Sequence, residues 1–254
     1  QSYPNFYTAR LASKFVKVVL SGNGGDELFG GYPWRYYRSA SSQSFNQFID
    51  KYYLYWQRLV SNSELKKMFA PIWADVYDLS TRDIFQNIFK SFNNELQHPE
   101  DYINHSLYFE AKTFLHGLFL VEDKLSMAYG MESRVPFMDN DLVDFAMQCP
   151  IGLKLNNLKK VLRINENESG NKKNVYFEKT NDGKQILREV MMRYIPNEIT
   201  RNEKQGFSSP DASWFKGESI EFVKKALFNQ NAQIYNFLDY HAVEKLINST
   251  PGKN

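Results

Sequence analysis

Apolar positions near the amino terminus predict one helix followed by one short strand. Five aromatic and aliphatic residues recur at three- and four-residue spacing, which predicts the helix: Tyr3, Phe6, Tyr7, Leu11 and Phe15. Val16, Val18, Val19 and Leu20 then form a short, mostly β-branched apolar run. Such a run is typical of a central strand in a parallel sheet that is covered on both faces.

Most of the remaining chain has the pattern of one-faced helices. Residues 36–105 form an aromatic-rich helical region, which we interpret as an insertion, and residues 101–133 predict one long helix or two stacked ones. A further helix begins after Asp139, which we expect to be its N-cap, and another ends before Pro196. The aromatic residues lack interleaved lysine and arginine, so we interpret them as core and not as a base-stacking surface.

Between Ile151 and Gly183 the composition shifts to asparagine, lysine and glutamate. Two short β-prone runs, 161–164 and 175–177, are separated by a polar turn and predict a small exposed hairpin. We interpret residues 152–180 as a second, polar insertion.

Composition and charge narrow the classes of function. The chain has 254 residues, of which 43% are hydrophobic and 16% aromatic, so it can bury a sizeable core. A net charge of +2 with mixed signs does not indicate nucleic-acid binding, and no apolar run approaches the roughly 20 residues that span a bilayer. We therefore expect small-molecule partners and a cytoplasmic location. Cys149 is interpreted as a buried structural thiol, and the spacing of the histidines does not indicate a zinc site.

Glycines and carboxylates follow the predicted strand directly, in the order Ser-Gly-Asn-Gly-Gly-Asp-Glu from Ser21 to Glu27. In open α/β sheets ligands bind beyond the carboxyl ends of strands, where backbone amides can face an anion and a carboxylate can hold a metal ion. The alternative is a glycine-rich connection into a helix whose first turn is acidic because of the helix dipole.

Three ordered blocks of the chain resemble the asparagine synthetase family. The first is the string just described, continued by Phe-Gly-Gly-Tyr and similar to the family's Ser-Gly-x-Gly-x-Asp-Glu signature. The second, Leu120 to Asp139, is similar to its Asp-Lys/Arg, Ser-Met-Ala and Glu-x-Arg-Val-Pro-Phe-Leu-Asp block. The third, Lys184 to Phe207, gives Lys-x-x-Leu-Arg, Ile-Pro, Arg201 and Lys-Gln-Gly-Phe in the family's order.

The resemblance implies an α/β fold, the carboxyl-terminal part of an ATP-pyrophosphatase domain of the adenine nucleotide α hydrolase type. We expect this part, residues 1–254, to be mostly helical with one or few parallel strands. The implied activity is a ligase that uses ATP and Mg²⁺ to make asparagine from aspartate through a β-aspartyl-adenylate, with ammonia from glutamine. A glutamine amidotransferase of this kind carries an amino-terminal glutaminase domain and a phosphate-binding loop, neither of which occurs in this chain. We therefore expect residues 1–254 alone to be inactive, and we expect the intact protein to form a homodimer.

The resemblance also assigns roles to individual residues. Asp26 corresponds to the Mg²⁺ ligand, and Lys204 to a lysine on a mobile loop that stabilises charge during adenylation, with Arg201 and Lys184 as alternative cations. Nucleotide contacts are expected from the first block, at Ser21, Gly22, Gly24 and Glu27. On the predicted helix of the second block, Asp123 shares a face with Met127 and is expected to face a pocket with a catalytic role.

Asn23 departs from the family pattern. Asparagine-forming members usually carry Glu or Asp at this position, implicated in forming or aminolysing the acyl-adenylate, and an amide cannot take a proton from ammonia. Asn23 is therefore expected to orient the intermediate. Two alternatives stay open: a ligase of the same family that acts on a sugar, peptide or other acyl and amine pair, and a noncatalytic interaction module.

Overall fold

The computed structural model describes residues 2–57, 60–92, 96–156, 183–202 and 218–249. Helices dominate these residues, as the periodicity predicts, and short 3₁₀ turns connect several of them. The α-helices are α1 (Ser2–Ala12), α2 (Gly25–Phe29), α3 (Pro33–Ala40), α4 (Phe45–Trp56), α5 (Asn62–Met68), α6 (Trp73–Val76), α7 (Thr81–Asn87), α8 (Pro99–Phe109), α9 (Leu115–Met127), α10 (Asn140–Gln148), α11 (Ile151–Lys154), α12 (Gln185–Met191), α13 (Asn197–Arg201), α14 (Glu218–Leu227) and α15 (Tyr240–Ser249).

Two short strands form the sheet of the described residues. β1 (Val18–Leu20) pairs in parallel with β2 (Glu132–Arg134), in the register Val18 to Glu132 and Leu20 to Arg134. The α/β class with few parallel strands is confirmed. The expectation that β1 is covered on both faces is wrong for this structure, since Val18 is 42% and Leu20 75% exposed. The physical reason is that β2 is the one described strand beside it, and a two-stranded ribbon cannot bury its apolar side chains.

The chain divides into two compact units. The first comprises residues 1–52 and 85–207, and the second residues 53–84 and 208–254. The first unit contains both strands and α1, α2, α3 and α8 to α13. The predicted insertion at 36–105 is helical in its described part, although it is shared between the two units. Its status as an insertion stays a prediction.

One helical run in the first unit extends from Pro99 to Met127 and includes a π turn. Glu110–Phe114 is π-helical and joins α8 to α9 without a break. The expectation of one long helix or two stacked ones therefore holds for most of residues 101–133, but the run ends at Met127 and residues 132–134 are a strand.

Aromatic side chains from α4, α7 and α8 form the core beside this run. Phe48, Tyr52 and Phe89 are fully buried, and the Phe89 ring stacks on that of His105 at 5.6 Å between centroids. The interpretation of the aromatic pattern as core is confirmed. His105 packs in the aromatic cluster, where burial lowers the pKa of its imidazole.

Further expectations concern Cys149, the predicted hairpin, the loop that carries Lys204 and membrane-spanning helices. Cys149 is buried with a free thiol, as expected. The predicted hairpin at 161–177 and the loop that carries Lys204 lie outside the described residues. Among the helices that the structure describes, none is both long and apolar enough to cross a membrane.

Asp139 caps α10, which confirms its predicted role. Its carboxylate accepts hydrogen bonds from the backbone amides of Asp141 at 3.1 Å and Leu142 at 3.2 Å. These amides belong to the first turn of the helix and have no partner within it. The cap therefore satisfies two donors that α10 leaves open.

Replacing this cap should destabilise the protein by a small, defined amount. We expect Asp139→Ala to lower the free energy of unfolding by about 1 kcal/mol, the usual value of a lost N-cap. Urea denaturation followed by circular dichroism measures it. Asp144→Ala, an exposed change on the same helix, is the control and should stay within about 0.5 kcal/mol of the unmodified protein. Equal loss in both variants would contradict the capping role.

Candidate functional site

A cavity of about 520 Å³ lies at the carboxyl end of β1. Its walls come from α1, from the end of β1 and the turn after it, from α9 and from β2. The lining residues are Asn5, Thr8, Ala9, Ala12, Val19, Leu20, Ser21, Gly22, Asn23, Glu122, Leu125, Ser126, Met131 and Ser133. Among these described residues, Glu122 is the only one with an ionisable side chain, so its carboxylate dominates the electrostatics of the cavity.

The Glu122 carboxylate accepts hydrogen bonds from three side chains. The Ser21 hydroxyl donates to Oε2 at 3.0 Å, the Asn23 amide Nδ2 donates to the same oxygen, and the Ser133 hydroxyl donates to Oε1. Glu122 lies on α9, Ser133 on β2, and the other two at the end of β1. One carboxylate thus joins α9 to β2 and to the turn after β1.

The backbone geometry behind this arrangement starts from the strand pairing. The Ser21 amide donates to the Arg134 carbonyl at 2.8 Å, which extends the β1 and β2 pairing one residue beyond β1. The backbone amide of Asn23 then donates to the Ser21 hydroxyl at 3.3 Å, which holds the turn close to the strand end. The turn therefore presents the side chains of Ser21 and Asn23 to Glu122.

The glycines of the turn serve different purposes. Gly22 lines the cavity, and a side chain there would meet no atom within 4 Å. Gly24 has a φ of 94°, and a Cβ on it would lie 2.9 Å from Met138 Sδ. Gly22 thus leaves open space beside the cavity, whereas Gly24 is required by its backbone conformation and by close packing.

Asp26, on α2, forms an ion pair with Lys184. Lys184 Nζ lies 2.9 Å from Asp26 Oδ1, and the Lys184 backbone amide donates to the Phe29 carbonyl at 2.9 Å. Gly31 makes room for this carboxylate, because a Cβ at that position would overlap the Asp26 side chain. The first and third sequence blocks therefore meet at this ion pair.

Glu27, the next residue, is only 2% exposed. The Tyr32 hydroxyl donates to Glu27 Oε1 at 3.2 Å. Burial raises the pKa of Tyr32 well above its usual range, and the neighbouring Glu27 and Asp26 carboxylates raise it further, so the phenol stays protonated and remains a donor. Glu27 is held inside the protein and is not among the residues that line the cavity.

Arg188 organises the chain after α12. Its Nε donates to the Gly183 carbonyl at 3.2 Å, and its Nη1 donates to the carbonyls of Thr200 at 2.6 Å and Asn202 at 3.1 Å. A single guanidinium therefore fixes the backbone on both sides of α12 and α13, just before the segment that carries Lys204.

Comparison with known proteins identifies the family. The sequence model of the family described as Asparagine synthase matches residues 1–253. The chain belongs to the asparagine synthase family. This confirms the resemblance of the three blocks, and it accounts for the small parallel sheet with its glycine-rich turn.

Curated relatives in the asparagine synthase family are distant but match most of the chain. Asparagine synthetase (glutamine-hydrolyzing) 1 of Bacillus subtilis is 26% identical, with 97% of this chain and 40% of that protein covered. A putative asparagine synthetase (glutamine-hydrolyzing) of Mycobacterium bovis is 25% identical, with 94% and 38% covered. Amidase chry2 of Gibberella zeae is 21% identical, with 90% and 37% covered. The chain thus spans about two fifths of the length of these relatives.

The structure separates the site residues expected from the asparagine synthase signatures into two groups. Ser21, Gly22 and Asn23 line the cavity. Gly24, Asp26 and Glu27 are not among its lining residues, and the side chains of Asp26 and Glu27 contact Lys184 and Tyr32 instead. Lys204 lies outside the described residues, and its role stays a prediction.

Asp123 does not have the position expected for it. Its side chain is exposed and does not line the cavity, and Met127 is 60% exposed on the same face. Glu122, Leu125 and Ser126 form the cavity face of α9 instead. They share a helix face at i, i+3, i+4 spacing, but Asp123 and Met127 share one at i, i+4 in the same way, so spacing alone does not select Glu122.

The described residues do not form a magnesium site by themselves. Asp26 Oδ1 is ion-paired with Lys184, and no group of three or more His, Cys, Asp or Glu side chains in the described parts of the chain is arranged to hold a metal ion.

Substitution of Gly31 should test the packing beneath Asp26. We expect Gly31→Ala to displace the Asp26 carboxylate and to lower the free energy of unfolding by about 1–3 kcal/mol, as overpacking does. Gly117→Ala is the matched control on α9, where a Cβ meets nothing within 4 Å and alanine should be neutral or stabilising. Chemical denaturation of both variants provides the measurement. A Gly31→Ala protein as stable as the control would show that the space beside Asp26 is not needed.

Proposed function

We propose that this chain is the carboxyl-terminal part of an ATP-dependent ligase that forms an amide bond. The single observation that carries the proposal is the Glu122 carboxylate, held by Ser21, Asn23 and Ser133 on a cavity at the carboxyl end of β1. Family membership and relatives named asparagine synthetases support ATP as cosubstrate and aspartate as the first carboxylate to test. Asparagine is then the expected product.

The reaction has two steps with different chemical requirements. In the first, a substrate carboxylate attacks the α-phosphorus of ATP, so that pyrophosphate leaves and an acyl-adenylate forms. In the second, an amine attacks the acyl carbon, the C–N bond forms, and AMP leaves as the bond from carbon to the phosphate oxygen breaks. The attacking amine must lose a proton during this step, and a base within hydrogen-bond reach accelerates the loss.

Glu122 supplies the base that Asn23 cannot. The Asn23 amide donates to Glu122 and has no basic atom, while Glu122 faces the cavity from α9. We assign proton acceptance from the amine to Glu122, and orientation of Glu122 to Asn23, Ser21 and Ser133. In asparagine-forming members the acid stands at the position of Asn23, so this assignment moves the acid from the turn to the facing helix.

A second candidate function is amide formation with an organic amine in place of ammonia. One observation favours it: Asn23 stands where the asparagine-forming members carry an acid. The lone carboxylate among the described lining residues also suits a neutral or cationic amine better than a second anion.

The wider setting of the enzyme follows from the relatives. Relatives described as glutamine-hydrolyzing support ammonia from glutamine and an amino-terminal glutaminase domain as a partner of this chain. We further propose a homodimer, a cytoplasmic location, and no activity from residues 1–254 alone. Asp26 stays the candidate Mg²⁺ ligand, with Lys184 as its present partner.

The test uses the complete protein with ATP, aspartate and either ammonia, glutamine or a panel of primary amines. Pyrophosphate release and amide product are measured separately, the latter by mass spectrometry. Pyrophosphate release that depends on the carboxylate substrate supports a ligase, and the amine that yields an amide identifies the branch. Absence of pyrophosphate with every substrate pair would contradict the ligase and favour a noncatalytic interaction module.

Glu122 and Asp123 should differ in this assay. We expect Glu122→Gln to lower the kcat of amide formation by about 10²-fold or more, the usual contribution of a general base, while pyrophosphate release continues. Glu221→Gln removes an exposed glutamate in the second unit and serves as the control. If Asp123→Asn, and not Glu122→Gln, stops amide formation, then Asp123 is the catalytic residue and the assignment of Glu122 is wrong.

Lys204 should affect the other step. Removal of a cation that balances charge only in the transition state of adenylation lowers kcat, with little change in the KM for ATP. We expect Lys204→Ala to slow pyrophosphate release by about 10²-fold, the scale of one lost electrostatic contact. Lys224→Ala, which removes a partly exposed lysine paired with Glu221, is the matched control. Unchanged pyrophosphate release would show that Lys204 has no part in adenylation.

A further inference from the structure

A charged side chain lies in the core where the long helical run becomes π-helical. Glu110 is completely buried and is the first residue of the π turn. The Tyr36 hydroxyl donates to its Oε2 at 3.0 Å, and the Tyr52 hydroxyl donates to its Oε1 at 2.8 Å. Both carboxylate oxygens are therefore held by donors from other helices, α3 and α4.

Arg35 connects this carboxylate to α2. Its Nη1 lies 3.6 Å from Glu110 Oε2, and its guanidinium carbon lies 3.8 Å from the centroid of the Tyr32 ring and 4.8 Å from that of Phe114. Tyr32 in turn donates to Glu27 at 3.2 Å. A continuous network thus runs from Glu27 through the partly buried Tyr32 and the buried Arg35 to the π turn.

The π turn decides which residue of α9 faces the cavity. A π turn contains one residue more than an α-helical turn, and each residue rotates a helix by about 100°. The helix after Phe114 is therefore turned by that angle relative to an uninterrupted α-helix. With the π turn present, Glu122 faces Ser21 and Ser133, and Asp123 is exposed.

A buried ion pair needs a reason other than stability. Removal of a carboxylate and a guanidinium from water is unfavourable, and apolar replacements of the same volume are often at least as stable. A π turn is also rarer than an α-helical one and frequently occurs at functional sites. The network fixes this turn at Glu110 and Phe114, twelve and eight residues before Glu122.

We propose that Glu110 is a positioning residue for amide formation: paired with Arg35, it holds the π turn in the register that directs Glu122 into the cavity. The activity part of this inference rests on the proposed function. Glu110 acts through Glu122 and contacts no substrate.

The ionised form of Glu110 matches the observed contacts, because both tyrosines donate to it. Burial raises the pKa of Glu110 to about 7, against the opposing effects of Arg35, Tyr52 and Tyr36, and with a further rise from Glu27. Since the ionised form holds the turn, the kcat of amide formation should rise with pH through about 7.

The main test is Glu110→Gln in the complete protein, with amide formation and pyrophosphate release followed from pH 5.5 to 8.5. Glutamine keeps the size of the side chain and removes its charge. We expect the kcat of amide formation to fall about 10- to 100-fold, the effect of a small misplacement of a reacting group, with the KM for ATP unchanged. The rise of this kcat near pH 7 should disappear in the Glu110→Gln protein. Glu221→Gln, an exposed change, should keep both the rate and the pH profile.

Tyr36→Phe is a milder variant that leaves the Arg35 and Glu110 pair in place. It removes one donor to the carboxylate, so the pKa of Glu110 should increase and the rise in kcat should move to higher pH. A double-mutant cycle completes the set: Arg35→Met should cost less kcat in the Glu110→Gln protein than in the unmodified protein, because the guanidinium there has already lost its carboxylate.

Three outcomes would overturn the inference. The first is a Glu110→Gln protein with unchanged kcat and pH profile. The second is a Glu110→Gln protein with a lower melting temperature in which the kcat of amide formation still rises near pH 7. That result would make Glu110 structural only. The third is a crystal structure of Glu110→Gln in which Glu122 still contacts Ser21 and Ser133. That structure also separates this inference from the proposed function, since it decides the position of Glu122 even if the unmodified protein releases no pyrophosphate.

Discussion

The interaction on which the candidate site depends is the set of hydrogen bonds to the Glu122 carboxylate. β1 and β2 pair over only three residues each, too few for two strands to be stable alone. The carboxylate joins the turn after β1 to β2 through Ser21 and Ser133, and so links the strand ends to α9. A charge in this position stabilises the local structure and faces the cavity at the same time.

A second ionic contact organises the neighbouring part of the first unit. Asp26 and Lys184 are 158 residues apart in the sequence, yet their ion pair joins α2 to the residue that precedes α12. Lys184 has a φ of 56°, a left-handed conformation that is unfavourable for a lysine and therefore requires compensating contacts. The backbone hydrogen bond to Phe29 and the ion pair provide them, so the third sequence block is bound directly to the first.

Sequence reasoning located the strand end correctly because the apolar run stops at the Ser-Gly turn, and the acidic residues that follow begin a helix. Ser21, Gly22 and Asn23 line the cavity, and Asp139 caps its helix. It failed at Glu122 because neighbouring residues on a helix differ by about 100° in direction, and a π turn shifts that direction without any mark in the periodicity. It also missed β2, whose residues Glu132, Ser133 and Arg134 have no β-branched or aromatic side chain and form a strand only because β1 lies beside them.

The departure at Asn23 has a physical interpretation once Glu122 is in place. A carboxylate at position 23 would stand within contact distance of the Glu122 carboxylate, and two like charges at such a distance repel strongly in a partly buried site. The neutral amide avoids that repulsion and donates a hydrogen bond instead. Asn23 and Glu122 therefore act as one unit, in which a neutral donor in the turn is compatible with a carboxylate on the facing helix.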